Sequence, residues 1–115
     1  MPTQIVTVPI SRVELRRIAE QQFGDFVKAV VDVQRRIMAI GADLHADEEA
    51  VLIEDGSHQA DLWGINIYFD QTGERLIEFD SMINVRPSQG NRSRAVEDIA
   101  VQRSIRDIVE RLVGA

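Results

Sequence analysis

The chain contains no cysteine, which excludes disulfides, thiolate metal sites and cysteine nucleophiles. It also has no apolar run near the roughly 20 residues that cross a bilayer. The first residues, Met1 to Gln4, lack the basic region and the long apolar core of a secretion signal. We therefore expect a cytoplasmic protein with no membrane partner.

Basic charge is scarce as well. The 115 residues include 13 basic and 19 acidic side chains, for a net charge of −6, and Lys28 is the only lysine. Wholesale binding to nucleic acid is disfavoured, because that binding grows with the number of phosphates neutralised; nucleic acid could be contacted only through a local arginine-rich patch. The length and the apolar share of 44% predict a single domain over residues 1–115 with one core.

Hydrophobic periodicity predicts the elements of the first half. Residues 4–10 are typical of a short strand, and a helix is expected over residues 11–23, where Ser11 and Glu14 match a capping box and Gly24 suits a left-handed end. A period of two then predicts a hairpin with strands near residues 26–33 and 37–41.

The second half shows more alternation. We predict strands over residues 49–54, 61–69 and 77–85, and a last helix that begins after Asp98. The expected fold is α+β: a mainly antiparallel sheet of about five strands with two helices, in the order β-α-β-β-β-β-α. The helices would cover one face of the sheet and leave the other open for a partner.

The most unusual segment is residues 84–94, which we call the arginine loop. It combines proline, glycine, amides, hydroxyls and three arginines, and such groups hold phosphates, carboxylates or nucleic-acid backbone. The alternative is that the arginines pair with carboxylates of an acidic protein. The candidate ligand-binding residues are Arg86, Gln89, Asn91, Arg92 and Arg94.

Two further groups are weaker candidates. On an extended chain His45, Asp47 and Glu49 would point the same way and could bind a divalent cation, although an acidic solvated run has the same pattern. Along the predicted strand over residues 77–85, Glu78 and Asp80 would share a face with Met82 and Asn84. Near Asn66 and Tyr68 of the preceding strand, these carboxylates suit either acid–base chemistry or a plain polar sheet face.

Three segments taken together resemble an uncharacterised family of small prokaryotic proteins, a domain of unknown function. They run from Met38 to Glu49, from Glu54 to Asn66 and from Glu78 to Ser93. The resemblance covers nearly the whole chain and implies one domain. It implies no established activity and transfers no catalytic residue, and the cofactor is unknown.

From these patterns we expect a non-enzymatic binding module that uses the arginine loop to hold an anionic small ligand or an acidic protein partner. One alternative is a metal-assisted hydrolase acting on a phosphoester. Its metal ligands would be either His45, Asp47 and Glu49 or the pair Glu78 and Asp80. Another is a structural subunit that forms a homo-oligomer such as a homodimer.

Overall fold

The computed structural model describes residues 2–114. It contains five strands and three α-helices, so the α+β fold is confirmed, with one helix more than predicted. In chain order they are β1 (Gln4–Val6), α1 (Arg12–Glu20), β2 (Phe26–Asp32), β3 (Ile37–Ile40), α2 (His45–Glu54), β4 (Leu62–Tyr68), β5 (Ile77–Glu78) and α3 (Ile99–Leu112). Single 3-10 turns occupy Gln59–Asp61, Gly73–Arg75, Met82–Asn84 and Pro87–Gln89.

The strands form one sheet in the order β1-β3-β2-β4-β5, and every pairing is antiparallel. The predicted hairpin is β2–β3, and its turn is held by Asp32, whose Oδ1 accepts from the backbone N–H groups of Gln34 and Arg35 at 2.9 Å each. The central pair is β2–β4, in which Lys28 lies opposite Asn66. This pairing places the two polar side chains on the same face of the sheet.

Two predicted helix starts are confirmed. The Ser11 hydroxyl accepts from the Glu14 N–H at 3.1 Å, and the Asp98 carboxylate accepts from the Ala100 N–H at 2.8 Å. Each side chain satisfies a backbone donor that the first helical turn leaves free. The turn after α1 reaches Gly24 at φ +95°, a conformation that glycine adopts without steric cost.

The main core lies between the sheet and helices α1 and α3. Trp63, Ile65 and Ile67 of β4 point into it, as their alternation predicts, and Trp63 is only 6% exposed. A second, smaller core lies on the opposite face under α2, where Leu52 packs with Val30. None of the helices within residues 2–114 is long and apolar enough to cross a membrane.

The strand predicted over residues 49–54 is wrong, because these residues belong to α2. The contiguous apolar residues Val51, Leu52 and Ile53 have the composition of a buried strand. In the helix only Leu52 of the three is fully buried, beside His45 and Glu48 on the inner face. The expectation of an open sheet face is wrong for the same reason, since α2 covers part of it.

The long strand predicted over residues 77–85 is also wrong beyond Glu78. The chain leaves the sheet there, and Met82–Asn84 forms a 3-10 turn. Asn84 is therefore fully buried and does not share an exposed face with Glu78 and Asp80.

Candidate functional site

The first turn of α2 and the 3-10 turn at Met82–Asn84 border a cleft of about 300 Å³. Its basic groups come from three separate parts of the chain: Lys28 on β2, His45 at the start of α2, and Arg94 at the end of the arginine loop. We call it the basic cleft. It is lined by Lys28, Leu44, His45, Ala46, Ser81, Met82, Ile83 and Arg94.

The His45 ring is fixed at the base of this cleft. It is 8% exposed, and its Nε2–H donates to the Ile65 carbonyl at 2.7 Å. Because a carbonyl can only accept, this contact places a proton on Nε2. Burial lowers the pKa of the imidazole, with the Ile65 carbonyl opposing that effect and the nearby Lys28 adding to it. His45 is therefore a neutral side chain at pH 7.

Arg94 extends along the rim of the cleft and pairs with Asp80. Its Nε donates to the Asp80 carboxylate at 2.6 Å, and both side chains are about half exposed. This hydrogen bond raises the pKa of Arg94. Within residues 2–114 its two terminal nitrogens have no hydrogen-bond partner, so the forked end of the guanidinium can receive an anion.

A row of polar residues crosses three strands next to the cleft. Lys28 lies opposite Asn66, and Asn66 lies opposite Glu78, so all three share the face on which α2 packs. Glu78 Oε1 accepts from Asn66 Nδ2 at 2.8 Å and from the Tyr68 hydroxyl at 3.3 Å. Burial, followed by the charge of Glu78, raises the pKa of Tyr68. The row thus holds a fixed carboxylate one strand beyond Asn66.

Arg86 of the arginine loop lies against the protein. Its terminal nitrogens donate to the carbonyls of Gln59, at 2.6 Å, and Leu62, and the guanidinium lies 4.3 Å from the centre of the Trp63 ring. Burial lowers the pKa of Arg86. These contacts pin the loop to the segment that precedes β4.

The amides of the loop also make internal contacts. Asn91 is 3% exposed; its Nδ2 donates to the carbonyls of Asn84 and Ala95 at 2.7 Å each, and its Oδ1 accepts from the Glu97 N–H at 2.9 Å. Gln89 is exposed and donates to the Ala60 carbonyl at 3.2 Å. Asn91 therefore shapes the loop, and Gln89 ties its tip to the preceding turn.

Arg92 differs from the other two loop arginines. Its side chain is exposed, and within the described part of the chain its guanidinium makes no hydrogen bond or ion pair. The structure thus separates the five predicted ligand residues: Gln89 and Asn91 line a cleft beside the start of α3, whereas Arg86 lies over Trp63. Of these five, Arg94 lines the basic cleft.

A larger cleft, of about 530 Å³, lies between the arginine loop and the start of α3. It carries the carboxylates of Asp61, Glu97 and Asp98. Two of them already accept backbone N–H groups, Glu97 from Arg92 at 3.0 Å and Asp98 from Ala100 at 2.8 Å. Glu97 and Asp98 thus have structural roles as acceptors of backbone N–H groups. The larger volume of this cleft is therefore not a sufficient reason to choose it as the candidate site.

The metal candidates lie on a helix, which changes their geometry. His45, Asp47 and Glu49 all fall within α2, where a step of two residues turns the side chain by about 200°. The shared direction expected for an extended chain is therefore absent. Among residues 2–114 no group of three or more His, Asp or Glu side chains is placed to hold a metal ion.

Lys28 is the residue that the sequence analysis missed as a site component. It is the only lysine, and it interrupts the apolar residues of β2 that precede Asp32; this combination was the signal available in the sequence. Its position beside His45 and Arg94 depends on the sheet order and on α2, which the sequence did not predict.

The fold and the cleft together define a small α+β domain with a basic cleft at one end of its sheet. The chain belongs to a family described as a protein of unknown function (DUF5674), whose model matches residues 4–112. No curated protein and no solved structure matches the chain.

Proposed function

We propose that this protein is a non-enzymatic binding module that holds an anionic group in the basic cleft. The observation that carries the proposal is the meeting of Lys28, His45 and Arg94 in one concavity of an acidic protein. Lys28 and the forked end of Arg94, whose Nε is paired with Asp80, together favour a carboxylate or phosphate more than either does alone. The proposal retains Arg94 from the predicted ligand residues and adds Lys28.

The walls of the cleft suit a ligand with an apolar part. Leu44 is 56% exposed and Met82 is 65% exposed, and both line the cleft. Ligand sites combine apolar walls with a few placed polar groups. The anionic group would lie between Lys28 and Arg94, and the remainder of the ligand would cover Leu44 and Met82.

The test is calorimetry and thermal shift with inorganic phosphate and with butyrate at low salt, using the wild type and the variants Lys28→Gln and Arg94→Gln. We expect binding that weakens about tenfold in each variant, equivalent to roughly 1.4 kcal/mol, and that also weakens as salt is added. The matched control is Arg103→Gln, which removes an exposed arginine of α3.

Equal binding by the wild type and Arg94→Gln would contradict the assignment of the cleft. Loss of binding in Arg92→Gln with no loss in Arg94→Gln would instead move the site to the exposed part of the arginine loop. If neither phosphate nor butyrate binds the wild type at millimolar concentration, the anion-binding function is refuted.

A further inference from the structure

On the strands beside Lys28, two hydrogen-bond acceptors have no donor within residues 2–114. Asn66 is 7% exposed, and its Oδ1 is buried with no hydrogen-bond partner within residues 2–114. Its Nδ2 donates to Glu78 at 2.8 Å, which fixes the amide orientation and turns Oδ1 away from Glu78. A buried acceptor in this state calls for a donor, since most buried polar groups in proteins are paired.

Glu78 supplies the second acceptor. Both protein donors, Asn66 Nδ2 and the Tyr68 hydroxyl, act on its Oε1. Within the described residues Oε2 has no partner, and Glu78 is exposed. Two donors on one oxygen hold the carboxylate in place, so Oε2 is a fixed and accessible acceptor for a ligand.

Of the two cations of the cleft, Lys28 lies across Asn66 from Glu78, whereas Arg94 is paired with Asp80, two residues after Glu78. Lys28 is directly opposite Asn66 on β2, whereas Glu78 is directly opposite it on β5. Adjacent strands are about 4.8 Å apart, so the backbones at Lys28 and Glu78 are separated by about 10 Å. The Lys28 ammonium lies 5.0 Å from the centre of the Phe23 ring and has no carboxylate partner in residues 2–114.

We propose that the ligand of this site is a small zwitterion, whose ammonium group donates to the accessible Oε2 of Glu78 and whose anionic group lies against Lys28 and Arg94. This inference rests on the proposed function and specifies the class of ligand. A short chain between the two charged groups would cross the row at Asn66. A ligand with only one of the two charges would leave either the acceptors or the cations without a partner.

The experiment compares three probes of equal chain length by calorimetry on the full chain: 4-aminobutyrate, butyrate and butylamine. We expect 4-aminobutyrate to bind at least about tenfold more tightly than butyrate, and butylamine to give no detectable binding. In Glu78→Gln the affinity for 4-aminobutyrate should fall to that for butyrate, while the affinity for butyrate should not fall. The glutamine side chain of this variant is isosteric and can still accept from Asn66 and Tyr68, and Glu110→Gln on the exposed side of α3 is the matched control.

The outcomes separate this inference from the function on which it rests. If 4-aminobutyrate and butyrate bind equally well, and both bind more weakly to Arg94→Gln, the inference of a zwitterionic ligand is wrong but the anion site is supported. If 4-aminobutyrate does not bind, the zwitterionic ligand is wrong. If phosphate and butyrate do not bind either, the proposed anion-binding function is wrong as well. The comparison of probes on the wild type needs no variant, so it decides the question even if Glu78→Gln folds poorly.

Discussion

The side-chain amide of Asn84 is hydrogen-bonded to both backbone groups of Gly64: Oδ1 accepts from the Gly64 N–H at 2.8 Å, and Nδ2 donates to the Gly64 carbonyl at 2.9 Å. Gly64 lies in β4, beyond the point where β5 ends. A side chain thus satisfies the two groups that a longer neighbouring strand would have satisfied. The same amide also donates to the Arg94 carbonyl at 3.0 Å, which links the sheet to the arginine loop.

We expect Asn84→Ala to lower the free energy of unfolding by about 2–4 kcal/mol, because it leaves buried backbone groups without partners at about 1–3 kcal/mol each. The measurement is urea unfolding followed by the fluorescence of Trp63, the only tryptophan. Ser88→Ala, at an exposed position of the same loop, should change stability by less than about 0.5 kcal/mol. If the two variants lost similar amounts of unfolding free energy, the hydrogen bonds of the Asn84 amide would not contribute to stability.

Gly64 is also needed for space. A Cβ atom at this position would lie 2.5 Å from both Cβ and Oγ of Ser81 and 3.1 Å from Cγ1 of Ile83. Because Ser81 is buried, Gly64→Ala should cost about 1–3 kcal/mol through overpacking.

A double-mutant cycle tests the cause of that cost. In Gly64→Ala/Ser81→Gly the clash with Ser81 is removed, so the loss of stability should be smaller than the sum of the two single losses by at least about 0.5 kcal/mol. Strict additivity of the two substitutions would mean that the close approach to Ser81 does not explain the glycine.

Part of this fold could be predicted from sequence because local signals agreed with the tertiary structure. Ser11 and Asp98 cap their helices as predicted, and Trp63 lies in the core as the alternation of β4 indicates. The helix α2 could not be predicted in this way, since its buried face carries His45 and Glu48 as well as Leu52. A buried face with two polar residues gives little amphipathic signal.

The site was predicted less well than the fold. Amides and guanidinium groups that suit a ligand also suit backbone carbonyls, and Asn91 and Arg86 bond to carbonyls of the protein itself. Composition alone cannot separate the two uses, because both require the same donors. Lys28 and Arg94 line the same cleft only because of long-range packing, which no local pattern in the sequence indicates.

Arg86 and Arg92 of the loop should therefore differ in their effect on stability. Arg86 bonds two carbonyls and stacks over Trp63, whereas the exposed Arg92 has no such contacts among residues 2–114. We expect Arg86→Ala to cost about 2 kcal/mol, a magnitude typical of hydrogen bonds to charged groups, and Arg92→Ala to cost less than about 0.5 kcal/mol. Arg86→Lys should not restore stability, because lysine keeps the charge but loses the planar fork. Urea unfolding of the three variants checks this order, and full rescue by lysine would show that charge alone holds the loop.

Glu48 predicts the pH dependence of stability. Its side chain is fully buried, its Oε2 accepts from the Ala42 N–H at 3.2 Å, and its Oε1 has no partner among the described residues. Burial raises the pKa of Glu48 to about 10, opposed by the Ala42 hydrogen bond and the charge of Lys28. In the unfolded chain the group has an ordinary pKa near 4.3. Between these values the folded state binds more protons than the unfolded state.

Stability should therefore fall as the pH rises through this window, because the slope of the unfolding free energy follows the difference in bound protons. One group contributes up to about 1.4 kcal/mol per pH unit. Glu48→Gln cannot ionise, so its stability relative to the wild type should increase steadily from about pH 5 to pH 9. The measurement is urea unfolding of both proteins at several pH values, with Glu110→Gln as the control for loss of an exposed carboxylate. A constant difference between the wild type and Glu48→Gln would mean that Glu48 is ionised in the fold, and would require an unseen partner for its buried charge.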